Sequence, residues 1–325
     1  MSEKAFKSPF YLFNGHLQTI LPSLFRKVPG VNYHRERVAT PDGDFLNLDW
    51  AQVSKTTNRL VVVTHGLEGD STRQYVLGMV KKFKDNGWDA LGWNCRSCGG
   101  EMNALPRFYH HGDASDVRFV VDYAISKGYD QVALSGFSMG GSLTLRTLAE
   151  FPDWVPPQVL GGAAFSVPLD LPTSVIELYK PTKSFYMKRF LGKLGKKIQA
   201  KSLLFPSVIS YEGYEEIKNF EQFDNRYTAP LHGYANAQDF YAQASVKPHL
   251  YKLKVPVLIG QAENDPFLTT ECLALDEAAA KNENITLRIF KNGGHVGFTQ
   301  TGSDETYAEK ITFEFLNELS EKKKR

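Results

Sequence analysis

Cysteine is scarce in this chain. Three thiols in 325 residues are an odd number and too few for a disulfide framework. No apolar run approaches the roughly 20 residues that a membrane-crossing helix needs. The opening Met1-Ser2-Glu3-Lys4 leads into a stretch broken by proline and polar side chains, not the apolar centre of a signal peptide. A cytoplasmic location is the resulting expectation. Neither sign of charge dominates: 38 Lys and Arg against 36 Asp and Glu leave a net charge of +2, without the basic footprint of a nucleic-acid partner. Internal repeats are missing too. The length suits one large α/β core with an insertion, or at most two domains.

Two of the cysteines, Cys95 and Cys98, form a C-x-x-C. A structural zinc site takes four protein ligands, and the only other thiol is Cys272. Redox pairs open a helix, whereas Gly99 and Gly100 follow this one. The motif reads as a packed loop, and neither a metal nor a cofactor is expected.

The strongest positive signal is Gly136-Phe137-Ser138-Met139-Gly140. Gln131-Val132-Ala133-Leu134-Ser135 before it has the composition of a buried strand. Leu143, Leu145, Leu148 and Ala149 after it fall near helical spacing. A serine between glycines, at a strand-to-helix turn, is a nucleophile elbow. The turn is too sharp for side chains at its flanks, and it lifts the Ser138 hydroxyl clear of the sheet. An alcohol is a weak nucleophile at neutral pH and needs a base, which in turn needs a carboxylate to orient it.

The order along the chain supplies both. Val255-Pro256-Val257-Leu258-Ile259-Gly260 reads as a buried strand, followed by the polar loop Gln261-Ala262-Glu263-Asn264-Asp265-Pro266. Ile285–Phe290 is a second strand, followed by Lys291-Asn292-Gly293-Gly294-His295. Both loops leave the strand ends where open α/β sheets place ligands. Asp265 is assigned as the acid, with Glu263 as the rival carboxylate, and His295 as the base. The other seven histidines precede the acid. Two amides would hold the developing oxyanion: that of Met139 after the nucleophile, and that of Leu67 in His65-Gly66-Leu67-Glu68-Gly69, after the β-branched strand Leu60–Thr64. His65 itself reads as a brace for that loop.

Strands near 60–64, 89–94, 131–135, 159–165, 255–260 and 285–290 alternate with helical stretches, which implies a mostly parallel sheet with helices on both faces. Arg35 to Trp50, broken at Pro41-Asp42-Gly43, reads as an antiparallel hairpin ahead of it. About ninety residues separate the strand at 159–165 from the acid-bearing strand, far beyond an ordinary connection. The division expected is therefore core at 1–170, helical cap at 171–250 and the rest of the core at 251–325.

From Lys180 to Lys201 the cap carries eight Lys or Arg and no acids, with Met187, Phe190, Leu194 and Ile198 at helical spacing. The expectation is a stripe packed inward with its charges in water; a lid over the site and a weak contact with a membrane surface are the other readings. Phe205, Tyr211, Tyr214, Phe220, Phe223, Tyr227, Phe240 and Tyr241 continue through the insertion and are candidates to line an apolar acyl pocket. Lys322-Lys323-Lys324-Arg325 reads as a solvated tail.

These motifs together resemble the α/β-hydrolases, and within them the YheT-like branch, which includes fungal medium-chain ester synthase/esterases and mammalian hydrolases. The closer likeness rests on Asn14-Gly15-His16-Leu17-Gln18-Thr19, His65–Gly69, Asn94-Cys95-Arg96-Ser97-Cys98-Gly99-Gly100, Tyr109-His110 and the elbow extended to Gly141. The resemblance implies a triad of Ser138, Asp265 and His295 and esterase chemistry on acyl esters. Relatives often have a second Asp where this chain has Asn264. The expected function is thus a serine esterase acting on a small-molecule ester with an apolar acyl chain, through an acyl-enzyme. An alcohol that intercepts that intermediate would make it an acyltransferase. A non-catalytic binding or membrane-surface protein on the same scaffold is the reading from another class. The sequence leaves the oligomeric state open.

Overall fold

The computed structural model describes residues 6–54 and 56–323. Met1–Lys4 and the final Lys324-Arg325 of the basic tail therefore lie outside the described residues. Eight strands are formed: β1 (His34–Ala39), β2 (Phe45–Ala51), β3 (Arg59–Thr64), β4 (Asp89–Asn94), β5 (Gln131–Phe137), β6 (Val159–Phe165), β7 (Val257–Ala262) and β8 (Ile285–Phe290). They make one sheet in the order β1-β2-β4-β3-β5-β6-β7-β8. The β1–β2 hairpin pairs from His34 opposite Trp50 to Ala39 opposite Phe45, and β2 is antiparallel to β4. Every later pairing is parallel, as helical crossovers require.

The helices are α1 (Gly15–Phe25), α2 (Gln74–Lys84), α3 (Ser115–Ser126), α4 (Met139–Glu150), α5 (Leu171–Glu177) and α6 (Ser184–Leu204), then shorter helical turns and a C-terminal helix, Tyr307–Lys323. Alternation along the strands sends side chains to two cores. Val61, Val63 and Ala133 meet Val76, Met79 and Phe83 of α2 and Ile311 and Leu316 of the C-terminal helix. Leu60, Val62, Val132 and Leu134 meet Val117 and Val120 of α3 and Leu145 and Leu148 of α4. Being covered on both faces, the central strands read as continuous apolar runs.

One element was not expected. α1 carries Gly15 at its start and Pro22 inside, which breaks its helical signature, yet it forms because Asn14 caps it by accepting from the Leu17 amide. Residues 171–250 contribute helices and no strand among the described residues. They pack a third cluster in which Val175, Met187, Leu191 and Ile198 meet Phe220, Phe240 and Phe267.

The expectation that the charges of α6 face water is half right and needs correction. Lys188 and Arg189 are exposed, but Lys197 and Lys201, and Lys183 just before the helix, turn inward. Lys201 is fully buried and donates to the carbonyls of Asn103 and Leu105. Lys197 donates to Glu68 at 2.7 Å, and Lys183 pairs with Glu177. α6 lies across core loops that offer the acceptors of Lys197 and Lys201, whereas Glu177 belongs to α5, and a buried cation persists where such partners replace its water. No described helix is long and apolar enough to cross a membrane.

Arg96 ties the front of the sheet together. Its guanidinium, only 2% exposed, meets Asp42 and Asp44 of the β1–β2 turn at 2.9 Å and Asp116 of α3 at 2.8 Å. Arg96→Met strands Asp44 and Asp116 without their cation. The expected loss is about 3–5 kcal/mol of unfolding free energy, read from urea denaturation; an unchanged midpoint would mean the cluster contributes nothing net.

Candidate active site

Ser138 sits between the end of β5 and the start of α4 with φ +55° and ψ −123°, a backbone state that a side-chain-bearing residue holds only when its surroundings impose it. The imposition is steric. A Cβ on Gly136 would lie 2.1 Å from the Gly140 carbonyl oxygen, and one on Gly140 would lie 2.2 Å from that of Thr64. Glycine at both positions is what lets β3, β5 and α4 meet. The Ser138 amide donates to Phe165 O at 2.9 Å and Ser138 O accepts from the Ser142 amide, so the turn is held on both sides.

The loops after β7 and β8 bring the other two candidates to this hydroxyl. His295 Nε2 lies 2.9 Å from Ser138 Oγ, and His295 Nδ1 lies 2.9 and 3.1 Å from the two carboxylate oxygens of Asp265. The Phe267 amide donates to Asp265 Oδ1 at 2.8 Å, and the Phe267 ring stacks on the imidazole with centroids 4.1 Å apart. Glu263, the rival acid, is exposed to solvent.

Sequence reasoning assigned no role to Gln18 or Thr19, and these prove to organise the site. The His295 amide donates to Thr19 Oγ1 at 2.8 Å, and that hydroxyl donates to Gly15 O. Gln18 Oε1 accepts from the Gly293 amide at 2.7 Å and from Asn264 Nδ2 at 3.0 Å, while Asn264 Oδ1 accepts from the Gly294 amide. α1 thereby ties the acid loop to the histidine loop. It can approach so closely because residue 15 is glycine: a Cβ there would fall 1.7 Å from Asn264 O. The available signal was two polar residues inside the Asn14–Thr19 motif, far from any strand end.

The His65–Gly69 loop packs directly on the elbow, where a Cβ on Gly66 would stand 3.2 Å from Ser138 Cβ. Leu67 borders the same cavities as Ser138, and the Met139 amide heads α4, where the first helical amides have no helical acceptor. His65 is fully buried; its Nδ1 lies 2.8 Å from Gly66 O and its Nε2 accepts from the Cys95 amide. Burial pushes its imidazole down to about 4, so it is a neutral brace between two loops. Glu68, at φ +55°, accepts from Tyr109 Oη at 2.6 Å and from Lys197 of α6. Lys197 also reaches Cys98 Sγ at 3.1 Å. Cys95, Cys98 and Cys272 are free thiols, all buried. Among the described residues no cluster of three or more His, Cys, Asp or Glu is placed to hold a metal ion.

Two chambers open from Ser138 and His295. The first is walled largely by apolar side chains that include Leu178, Phe190, Leu194, Ile198 and Phe240. Of the eight candidate aromatic residues, Phe220, Phe223, Tyr227, Phe240 and Tyr241 line it. Phe205, Tyr211 and Tyr214 do not, which corrects the sequence expectation. Tyr214 instead donates to Leu191 O of α6 and stacks on Tyr211. The second chamber lies toward α1 and α2 and is bordered by Ile20, Arg73, Arg189 and Lys193.

A buried acid, Asp224, borders the first chamber and accepts from the hydroxyls of Thr228 and Tyr241. Burial pushes its carboxyl up to about 7. The folded state then holds a proton that the unfolded chain releases, so stability is greatest below the unfolded pKa and falls as pH rises toward about 7. Urea midpoints at acid and at mildly alkaline pH test this: the wild type should lose stability relative to Asp224→Asn as pH rises. Parallel pH profiles would refute it.

Comparison with known proteins agrees with this fold. The family model described as serine aminopeptidase, S33 (Hydrolase_4) matches residues 55–301. YheT of Escherichia coli strain K12 is 31% identical over 290 residues, spanning 88% of this chain and 84% of that protein. Phospholipase ABHD3 of Homo sapiens is 26% identical over 322 residues, 96% of this chain and 78% of its own. The solved structure of the Pyrococcus furiosus esterase Pf2001 superposes with a TM-score of 0.61 at 17% identity, over 89% of this chain and 90% of that one, and shows the shared fold. With an elbow serine, a histidine loop and an acid loop on a mostly parallel eight-stranded sheet, the chain belongs to the S33 serine aminopeptidase family of α/β-hydrolases.

Proposed function

We propose that the chain is a serine carboxylic-ester hydrolase for esters with short to medium apolar acyl chains, working through an acyl-enzyme. The observation that carries this reading is the unbroken line of short contacts from Ser138 Oγ through His295 to Asp265, opening on an apolar chamber. In this reading His295 Nε2 takes the Ser138 proton as Oγ attacks the ester carbonyl. Asp265 holds the imidazole by Nδ1 and stabilises its cationic form. The amides of Leu67 and Met139 meet the oxyanion, whose charge develops only on the way to the tetrahedral intermediate. Collapse breaks the acyl–oxygen bond, and His295 returns the proton to the departing alcohol. Water, deprotonated by the same nitrogen, then releases the acid.

The acyl chain belongs in the first chamber, beneath Phe190, Leu194 and Ile198 of α6. Residues 171–250 act as a cap that excludes water while leaving the ester at Ser138. The phospholipase name of the human relative is in keeping with an acyl ester substrate.

Ser138→Ala should abolish labelling by a fluorophosphonate probe and lower kcat by roughly 10⁴-fold or more, with an unchanged circular dichroism spectrum. Persistent labelling of the folded variant would overturn the nucleophile. Each buried methylene is worth about 0.8 kcal/mol, so p-nitrophenyl esters of about six to ten carbons should outrun acetate in kcat/KM. An acetate preference would remove the apolar chamber from the argument.

A further inference from the structure

The second chamber differs from the first in charge. Its lining brings together Arg73 at the start of α2 and Arg189 and Lys193 on α6, next to Ser138 and His295. Glu68 is the one carboxylate among the described residues that line it. That carboxylate is already joined to Lys197 at 2.7 Å and to Tyr109 Oη. Arg73 and Lys193 both donate to the neutral backbone carbonyl of Glu68, at 3.2 and 2.9 Å, which orients them without cancelling their charge. Elsewhere Arg26, Arg35, Arg96 and Arg107 meet carboxylates directly. Lys193 is half-buried, and burial followed by the nearby Arg73 pushes its ammonium down, with Arg189 adding to the effect against Glu68 and Asp70. Three cations thus share one cavity, close enough for Arg73 and Arg189 to act on Lys193, while Glu68 is committed to Lys197 and Asp70 stands outside the lining. Such an arrangement is stabilised when an anion enters.

Resting on the esterase reading above, we propose that the second chamber binds the alcohol half of the substrate through an anionic group of the phosphate class, so that the enzyme cleaves acyl esters of phosphorylated alcohols. The two chambers meet at the scissile bond. The acyl chain fills the apolar one, and the phosphate of the alcohol half faces Arg73, Arg189 and Lys193. When the acyl–oxygen bond breaks, the acyl group stays on Ser138 Oγ. The leaving oxygen takes its proton from His295 and departs as a phosphorylated alcohol. Water then completes hydrolysis without any further reactant. Arg189 carries the recognition from the cap side and Arg73 from the core side, so the anion bridges cap and core at the mouth of the site.

The test is a matched pair of substrates with the same decanoyl chain, one on glycerol and one on glycerol 3-phosphate, assayed as the ratio of their kcat/KM values. The wild type should favour the phosphorylated ester by about tenfold or more at low salt, and the preference should shrink as ionic strength screens the contact. Arg189→Glu should collapse or invert the ratio, chiefly through KM for the phosphorylated ester. Because the ratio is internal to each variant, a general loss of activity cancels. A wild-type ratio near one, or a ratio indifferent to Arg189→Glu, overturns the proposal. Inhibition by inorganic phosphate with no preference between the two esters also overturns it, since the anion site would then not serve the substrate. Hydrolysis of p-nitrophenyl esters by the same preparation separates the two readings: if it persists while the ratio is flat, only the phosphate site falls, whereas its absence removes the esterase reading itself.

Discussion

Backbone contact at the elbow is the constraint on which the rest of the structure depends. The carbonyl of Thr64 at the end of β3 and that of Gly140 at the start of α4 come so near the turn that no Cβ fits at Gly140 or Gly136. That closeness holds Ser138 at positive φ and sets the His65–Gly69 loop against it. It also leaves the first amides of α4 facing the same space. A strained serine is tolerable here because the strands on both sides are buried and parallel, and the sheet supplies the stabilising energy that the turn consumes. Hydroxyl, loop and helix start are thus placed by one packing event.

A second layer of order comes from polar groups buried away from any strand. Gln18, Thr19 and Asn264 connect α1 to the loops that hold Asp265 and His295. Glu68, Tyr109 and Lys197 connect α6 to the loop beside the elbow. Each buried donor or acceptor left unmatched would cost about 1–3 kcal/mol, so such links are specific: they tolerate one arrangement of the loops and penalise others. Residues 171–250 are therefore joined to the rest of the chain by more than apolar contact. Their central helix has an apolar stripe over the first chamber, a buried cationic edge tied to the core, and an exposed cationic edge at the second chamber.

Much of this was legible in the order of residues. Apolar runs separated by helical stretches announced the parallel sheet, because strands covered on both faces must be apolar throughout. The glycines around Ser138 and the loops bearing Asp265 and His295 were readable because turn chemistry is local and strand ends share an edge. α1 was hidden, since a helix with glycine at its start and proline inside depends on docking and capping more than on its own pattern. The aromatic residues of residues 205–241 were over-read: composition marks them as apolar, but only packing separates Phe220 and Phe240 in the cavity from Tyr214, which bonds the α6 backbone instead.

The sequence by itself determined the sheet, the identity of the candidate nucleophile, acid and base, and the presence of a helical insertion, because these depend on local periodicity and on the order of turns. Tertiary structure alone decided which polar residues of α1 support the histidine loop, which lysines of α6 turn inward, and that two chambers of different charge meet at Ser138. Those outcomes depend on contacts between segments as far apart as Gln18 and Gly293 or Glu68 and Lys197. The free energy of such a contact exists only once the chain between its partners has been folded, so no stretch of sequence carries it alone.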